Sequence, residues 1–426
     1  MARRELVFSV IAALFCVQCA KSNTAVLLTD RPEAAFYAQY YNSSQSKFKV
    51  EVRYIDSAEA QNAAQAENAD MIIARYLDND ESYQRFDDLD VLFSRNYLRE
   101  TAFYPELAAL GRRTGKQFFL PVSFNLPALV FLEKREFSNS ESSIIELQTA
   151  RDAGIAYNVR EGAAWSRVGF SPLWDKKYGF LLLLPRLFGA DFNSMPDGEG
   201  RPLSLAWNEA EFNEALSWTN LWIKESTGST AAEEDFFFKY FFDPPAKLLT
   251  DERILFAYMQ SDEYFIRGHE SFTGTDFRWL GHNGKIPVLE DYTAFAIYKK
   301  AGAKKAAMDF ARWFFNEDTQ SMILEQSRET QLDSSTFGIM GGFSSLWTVT
   351  GFLFPKYYED FLGHFPPQRS FTALSTLPAN WPQLRAEVLL PCLIAEIRDS
   401  GDYTGNGSAV LSERLAQWRN IKKGQF

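Results

Sequence analysis

The first eighty residues alternate between strand-like and helix-like segments, and this order restricts the possible fold more than any other feature. Residues 25–29 (AVLLT), 48–55 (FKVEVRYI) and 69–74 (ADMIIA) predict three strands. Residues 33–41 and the alanine-rich residues 58–68 predict helices between them. Such alternation predicts a parallel sheet with right-handed crossovers. Because ligands bind beyond the carboxyl ends of the strands in open sheets, binding residues are expected in the loops after the first and third strands.

The rest of the chain is long enough for a second lobe. Its 426 residues exceed what one core usually supports, and domains of roughly 150 residues are common. Residues 117–132 (QFFLPVSFNLPALVFL) contain two apolar strand segments separated by a bend between prolines, which suits a crossing from one lobe to the other.

A second crossing is predicted in residues 285–326. Residues 293–298 (TAFAIY) predict a strand, and residues 306–315 carry apolar side chains at helical spacing. Asn316 is placed to cap a further helix. We expect the strand to return through the hinge, so that the helix packs on the first lobe and only the start of the strand reaches the site.

The N-terminus carries an export signal. Arg3 and Arg4 precede an apolar run over residues 6–17, which is too short to span roughly 30 Å of hydrocarbon. The run ends at Cys16 and Cys19 and resembles a bacterial lipoprotein signal, with residues 1–18 as the signal peptide and Cys19 as the acylated residue. Cys16 is the alternative, as are a plain secretory signal and a buried N-terminal helix. Only Cys392 remains beyond the signal, so no internal disulfide is expected.

Composition indicates a folded protein that does not bind nucleic acid. The chain is 46% hydrophobic and 23% charged, as in ordinary globular proteins. Its net charge of −11, with no basic stripe, opposes binding to phosphate backbones.

No cofactor, metal site or catalytic motif is expected. The histidines His269, His282 and His364 do not lie at metal-ligand spacing, and no nucleophile elbow or phosphate-binding loop is present. Residues 78–80 (DND) begin like a calcium loop, but Tyr83 stands where that loop needs glycine. Carboxylates such as Asp262 and Glu290 leave a glycosidase pair open, although two acids alone are weak evidence for one.

Three blocks in this order resemble the extracellular solute-binding proteins of ABC importers, in particular the family 1-like sugar-binding type. They are residues 115–134, residues 207–222 beginning at Trp207-Asn208, and residues 292–320 with Trp313-Phe314-Phe315. The resemblance implies an α/β fold of two lobes, the type II periplasmic-binding-protein fold, with each lobe discontinuous in sequence and a ligand at the hinge. It implies a first lobe of residues 19–124 plus about 292–330 and a second of residues 125–291 plus about 331–426.

The resemblance also implies a function without catalysis. The chain would be a monomer held by its lipid anchor on the periplasmic side of the cell membrane. It would capture a solute, most simply a carbohydrate or oligosaccharide, and deliver it to the membrane permease subunits of an ABC transporter. Two alternatives stay open, an exported glycan-active hydrolase and a lipoprotein of the same fold with a structural or sensory role.

Candidate binding residues combine flat apolar rings with groups that hydrogen-bond hydroxyls, which is what a sugar requires. Tryptophans in loops are better candidates than tryptophans in helices, which more often belong to the core. Residues 248–260 predict a helix and residues 261–264 a loop. The candidates lie mainly where predicted strand ends meet helix starts: Asp30, Asp78, Ser123, Asn125, Glu161, Trp165, Trp174, Asp262, Tyr264, Tyr292 and Trp347.

Overall fold

The computed structural model describes residues 23–56, 69–174, 177–196, 202–365, 368–372, 374–398 and 405–423. The export signal with Cys16 and Cys19 lies outside these residues, as does the helix predicted over residues 58–68. Both therefore stay predictions.

The strands in chain order are β1 (Thr24–Thr29), β2 (Lys49–Tyr54), β3 (Met71–Arg75), β4 (Arg112–Arg113), β5 (Lys116–Gln117), β6 (Leu120–Phe124), β7 (Pro127–Leu132), β8 (Ile144–Glu146), β9 (Val159–Glu161), β10 (Ala164–Arg167), β11 (Asn193–Pro196), β12 (Pro202–Ala206), β13 (Ala257–Gln260), β14 (Thr275–Gly281), β15 (Ile286–Pro287), β16 (Thr293–Ile297), β17 (Phe343–Ser344) and β18 (Phe371–Thr372).

The α-helices are α1 (Ala34–Ser44), α2 (Asp90–Ser94), α3 (Pro105–Ala108), α4 (Leu147–Tyr157), α5 (Gly179–Leu187), α6 (Glu209–Ser226), α7 (Thr230–Lys239), α8 (Pro245–Thr250), α9 (Ser261–Ser271), α10 (Lys304–Phe314), α11 (Glu317–Glu329), α12 (Phe354–Tyr357), α13 (Trp381–Leu384), α14 (Leu390–Arg398) and α15 (Gly407–Lys423).

The first sheet has the strand order β17-β6-β16-β3-β1-β2. Strand β1 lies between β2 and β3 and runs parallel to both, which confirms the parallel arrangement predicted from the alternating pattern. Strand β16 inserts antiparallel between β3 and β6. The carboxyl ends of β1 and β3 therefore lie at the same edge as the start of β16.

The second sheet has the order β13-β7-β14-β8. Only Asn125 and Leu126 separate β6 of the first sheet from β7 of the second. This direct passage confirms the predicted crossing in residues 117–132. It also makes β6 and β7 a mechanical connection between the two sheets.

Two sequence predictions near these sheets are wrong. Strand β17 pairs with β6 in the first sheet, whereas the sequence placed everything after about residue 330 in the second lobe. Residues 248–260, predicted as a helix, contain only the short α8 and then β13, which pairs with β7; residues 261–264, predicted as a loop, begin α9. Ala257 and Met259 of β13 are buried in alternation, but the sequence does not show this period because the strand lies within a longer apolar run.

Helix α10 shows why the fold holds the returning strand in place. Its buried face consists of Ala306, Ala307, Phe310, Ala311 and Phe314, in agreement with the predicted helical spacing. The helix packs on β1 and β2, and the Phe310 ring meets Tyr41 of α1 with ring centroids 5.3 Å apart. The next helix, α11, starts at Asn316, whose Oδ1 accepts hydrogen bonds from the backbone of Asp318 and Thr319 as predicted.

The second lobe has its own apolar core around α5, α6, α14 and α15. Helix α5 is almost entirely buried and contains Pro185. In the part of the chain that the structure describes, no helix is both long and apolar enough to cross a membrane.

Candidate functional site

The ends of β1, β3 and β16 bring charged groups together. Asp30, which follows β1, is buried and accepts a hydrogen bond from Arg75 Nε at the end of β3, over 2.9 Å. Arg31 donates to Thr293 Oγ1, at the start of β16, from Nη2 over 3.2 Å. Asp30 Oδ1 is buried with no hydrogen-bond partner among the described residues. The loop after β1 is thus polar, and hydrogen bonds of the Arg31 and Arg75 guanidinium groups hold it against β16 and β3.

A polar cavity of about 80 Å³ lies beside these strand ends and has walls from both lobes. Tyr76, which follows β3, faces Tyr258 of β13 and Arg186 of α5 across it. Glu290 and Asp291, from the chain returning to β16, complete its acidic side. A ligand in this cavity would touch both lobes.

Glu290 is already bound within the protein. Its Oε2 accepts hydrogen bonds from Trp381 Nε1 over 2.6 Å and from Arg385 Nη1 over 3.3 Å. Arg186 Nη1 donates to the Val288 carbonyl over 2.8 Å, and burial lowers the pKa of Arg186. These contacts hold the returning segment against α5 and α13.

Asp262 is the most strongly perturbed acid near the strand ends. Burial first, and then the negative charges of Asp291 and Glu263, raise its pKa to about 6. The charge of Arg31 acts in the opposite direction. These charges act across the lobes, because Asp262 belongs to α9, which follows β13 of the second sheet, and Arg31 follows β1 of the first.

An aromatic groove of about 430 Å³ opens next to the polar cavity, and Tyr258 lines both. Trp174 and Phe236 form its central surface, with ring centroids 5.2 Å apart and planes inclined by only 17°. Trp174 Nε1 is buried with no hydrogen-bond partner among the described residues. Aromatic, polar and aliphatic residues make up the rest of the lining, among them Phe170, Lys177, Phe237, Tyr240, Phe242, Asp243, Leu248, Ile254, Met259 and Glu263.

Close backbone packing positions one wall of the groove. A Cβ atom on Gly169 would lie 2.3 Å from the Gly154 carbonyl oxygen of α4, so this contact requires glycine. The Gly169 carbonyl accepts hydrogen bonds from the backbone of Leu255 and Phe256, just before β13. Phe170 and the loop that leads to Trp174 are therefore anchored to α4 and to the second sheet.

A buried carboxyl group supports the opposite wall. Glu233 of α7 is fully buried and hydrogen-bonds to Ser171 Oγ and, over 3.2 Å, to Thr227 Oγ1. Burial raises its pKa to about 8, and the two hydroxyl groups only partly oppose this shift. Glu233 is therefore mostly uncharged at neutral pH, and it joins the Ser171 loop to the helix that carries Phe236 and Phe237.

The structure places three predicted residues at these features. Trp174 lines the aromatic groove, Asp30 lies at the end of β1, and Asp262 lies within the charged cluster. The phenolic oxygen of Tyr292 donates to Asp78 Oδ2 over 2.8 Å, and Asp78 also pairs with Arg113. Both line a small cavity of about 20 Å³ near Trp381, too small for a sugar, so they form a buried internal network.

Ser123 and Asn125 are buried around the crossing between the sheets. Ser123 Oγ donates to the Met340 carbonyl over 3.1 Å. Asn125 Nδ2 donates to the Gly341 carbonyl over 3.0 Å, while its Oδ1 accepts from Ser261 Oγ over 2.7 Å. The side-chain polar groups of Ser123 and Asn125 therefore already have hydrogen-bond partners within the protein.

The other four predicted residues line none of these cavities. Tyr264 is 2% exposed and packs between Phe265 and Phe277, so it belongs to the core. Glu161 and Trp165 belong to the β9–β10 hairpin, where the Arg160 guanidinium lies 4.3 Å from the Trp165 ring centroid. Trp347 donates from Nε1 to the Thr101 carbonyl over 2.9 Å.

Several lining residues were not singled out from the sequence. Phe236, Phe237, Tyr240 and Phe242 belong to an aromatic run that the sequence shows clearly, but nothing local indicates which side of α7 meets a groove. Tyr258 is not among the predicted binding residues because the sequence pattern predicts a helix where strand β13 lies.

A metal site is not indicated. Within the described ranges, no three histidine, cysteine, aspartate or glutamate side chains form a group that could hold a metal ion.

Comparisons with known proteins establish the fold. No model of a protein family matches the chain, and no curated protein matches it. A cyclic alpha-maltosyl-1,6-maltose binding protein from Arthrobacter globiformis aligns with a TM-score of 0.63 at 15% identity, over 92% of this chain and 97% of that one. An extracellular solute-binding protein from Staphylococcus aureus in complex with maltose gives 0.62 at 16% identity, over 94% and 99%.

A third solved structure, of the protein CpMnBP1 with mannotriose bound, aligns with a TM-score of 0.60 at 12% identity, over 92% of this chain and 99% of that one. The likeness therefore covers nearly the full length of each solved chain. The predicted α/β fold is confirmed: the chain has the two-lobe fold of periplasmic solute-binding proteins.

Proposed function

We propose that this protein is the ligand-binding component of an ABC importer. It captures a carbohydrate or oligosaccharide by closure of its two lobes and delivers it to membrane permease subunits. The observation that carries the proposal is the aromatic groove, which opens beside a polar cavity lined from both lobes. A ligand that touches both lobes stabilises the closed state through its higher affinity for it.

The chemistry of the groove favours a sugar. A pyranose ring presents a C–H face to an aromatic ring and hydroxyl groups to its surroundings. The Trp174–Phe236 pair supplies the flat surface. Asp243 and Glu263, which pair with Lys247 and Lys177, supply carboxylate acceptors in the lining. Maltose and mannotriose in the similar structures support this class of ligand without identifying it.

Trp174→Ala tests the groove directly. In a thermal-shift and calorimetric screen with sugars, peptides and lipids, we expect one class of sugar to stabilise the protein and to compact it in small-angle scattering. Trp174→Ala should weaken that binding by about tenfold or more because the stacking surface is lost. Trp347→Ala removes another partly buried tryptophan away from the groove and is the matched control. No response of the wild type to any sugar would contradict the proposal.

A glycan-active hydrolase is the second candidate, and the raised pKa of Asp262 favours it. A carboxyl group whose pKa is raised to about 6 by burial and neighbouring charges is suited to act as a general acid. Glu290, its suggested partner, is held by Trp381 and Arg385. Incubation with oligosaccharides should release no product under our proposal, whereas turnover that is lost in Asp262→Asn would establish the enzyme.

We further propose that the protein is a monomer anchored outside the cytoplasmic membrane through acylated Cys19. More than one acyl chain is needed for stable anchoring. Mass spectrometry of the mature protein should find a lipidated N-terminal Cys19, and an unmodified Cys19 on an intact chain contradicts this. A lipoprotein with only a structural or sensory role would instead fail to support uptake of the sugar that it binds.

A further inference from the structure

A second cavity, of about 400 Å³, lies on the outer side of the aromatic groove. Trp174 and Phe237 line both cavities, so these two side chains form a wall that the cavities share. Each exceeds the volume of about 300 Å³ at which ligand pockets for small molecules begin. The two cavities therefore adjoin at these side chains, and a ligand longer than the groove has the second cavity next to it.

Four phenylalanines at the end of α7 form an outer aromatic surface, which we define as Phe237, Phe238, Phe241 and Phe242. Phe238 is 81% exposed, Phe242 is 93% exposed and Phe241 is 40% exposed. Burying a phenylalanine side chain is worth about 1.5–3 kcal/mol, so three exposed rings in five consecutive residues are not explained by folding. Phe238 and Phe241 line the second cavity, and Phe242 lines the groove beside it.

The geometry of this surface suits ring-shaped units placed one after another. The Phe237 and Phe241 centroids are 5.6 Å apart with planes at 87°, and Phe241 and Phe242 are 5.2 Å apart at 88°. Edge-to-face contacts hold the rings in fixed mutual orientations. Successive ring faces therefore point in different directions, as a twisting chain of sugar rings would require.

Charge around the surface argues against a lipid bilayer as the occupant. Glu234 and Asp235 line the outer cavity, and Asp243 lines the groove. Anionic headgroups repel such carboxylates. Carboxylates beside aromatic rings are instead the combination that binds hydroxyl groups and C–H faces together, the same combination that is found in the groove.

We infer that the outer aromatic surface extends the ligand site and binds the distal units of a linear oligosaccharide whose first units occupy the groove. The inference rests on the proposed function and sharpens it: the preferred ligand is a chain of several sugar units. A disaccharide fills the groove and does not reach Phe238 or Phe241, which line the second cavity and not the groove.

The double variant Phe238→Ala, Phe241→Ala separates the outer surface from the groove, because these two side chains line the second cavity and not the groove. Both side chains are exposed, so the variant should fold normally, which circular dichroism and thermal melting check. The control is Phe352→Ala, which removes a 64% exposed phenylalanine that lines neither cavity. Calorimetry is carried out with maltose and maltohexaose, mannobiose and mannohexaose, and cellobiose and cellohexaose.

In the wild type and in Phe352→Ala, we expect the hexasaccharide of one series to bind about tenfold more tightly than its disaccharide. In the double variant this advantage should disappear, while the disaccharide affinity changes by less than about twofold. Equal affinity for both lengths in the wild type overturns the inference but leaves the proposed function standing. If the double variant still binds the hexasaccharide more tightly than the disaccharide, the inference is also overturned and the proposed function still stands. The outer aromatic surface would then be assigned to a protein partner. Failure of every sugar to bind overturns both.

Discussion

Glu233 links the loop at Ser171 to α7, whose Phe236 and Phe237 line the aromatic groove. It is a carboxyl group with no exposed surface, and it connects the Ser171 loop to α7 through two hydroxyl groups. A buried carboxyl group is tolerated in its neutral form, which explains why its pKa rises to about 8. The groove is therefore held by a hydrogen-bond network whose charge depends on pH.

Glu233 should make the protein less stable as pH rises. Its folded-state pKa of about 8 exceeds the ordinary value of 4.5, so the unfolded chain loses this proton first. The stabilising contribution is complete below pH 4.5 and is lost progressively as pH rises to about 8. Glu233→Gln, which mimics the neutral acid, should flatten the fall in unfolding free energy over this interval, as measured by urea denaturation at several pH values.

The control for this experiment is Glu234→Gln, which makes the same chemical change at the neighbouring position of α7. If the wild type and Glu233→Gln show the same pH dependence between pH 5 and 8, then Glu233 is not the titrating group. Ligand affinity measured over the same range should follow stability, because the network carries the wall that bears Phe236 and Phe237.

At the scale of elements, the returning strand β16 and the helix after it are held by one apolar helix face. Helix α10 buries five side chains against β1, β2 and α1. Strand β16 is fully buried between β3 and β6. The position of Thr293, and hence of Arg31, therefore depends on how well α10 packs.

Phe310→Ala should remove much of that packing. The side chain is fully buried and contacts the rings of Tyr41, Trp313 and Phe314. Loss of a buried phenylalanine typically costs about 3–5 kcal/mol through lost burial and a residual cavity. Denaturant unfolding measures this loss. Lys305→Ala, at an exposed position of the same helix, should change the unfolding free energy by less than about 0.5 kcal/mol.

Elements with a strong local period could be predicted from the sequence, and elements whose role depends on distant partners could not. The spacing in α10 and the alternation in β2 are local, so both were found. Strand β13 has only four residues, and pairing with β7 decides its conformation. The two-residue strand β17 has no period of its own, and only its pairing with β6 assigns it to the first sheet.

The site followed the same rule. Trp174 and Asp30 could be proposed because a loop tryptophan and an acid after a predicted strand are visible in the sequence. Asp262 was proposed in a predicted loop, whereas it lies in α9 directly after β13. Whether these residues bind a ligand stays a prediction. Tyr264 lies two residues after Asp262 in α9, about half a helical turn away, and packs in the core against Phe265 and Phe277. The sequence does not show these packing partners. The division of the aromatic run in α7 into groove, wall and exposed surface likewise depends on three-dimensional packing.

At the scale of the whole molecule, Asn125 joins the two lobes at the crossing between β6 and β7. Its side chain donates to Gly341 and accepts from Ser261, the first residue of α9. The backbone nitrogen of Leu126 also donates to Ser261 Oγ, over 3.1 Å. One amide thus fixes the crossing chain to segments on either side of it.

Asn125→Ala should loosen this junction. It leaves the buried Gly341 carbonyl and the Ser261 hydroxyl each without one partner, and such losses cost about 1–3 kcal/mol. We expect a lower unfolding free energy in urea and a larger radius of gyration of the unliganded protein. Asn139→Ala, at an exposed asparagine, is the control. An unchanged scattering profile would show that Asn125 does not restrain the lobes.

The order of strands in the first sheet also has a consequence for how the chain acquires its structure. Arg31 and Thr293, which hydrogen-bond across the strand ends, are 262 positions apart in the sequence. Strand β16 occupies the centre of this sheet, and its partners β3 and β6 are synthesised long before it. Contacts between such distant segments slow folding. The first sheet therefore cannot be completed until β16 has been synthesised, because β3 and β6 have no partner strand between them before that point.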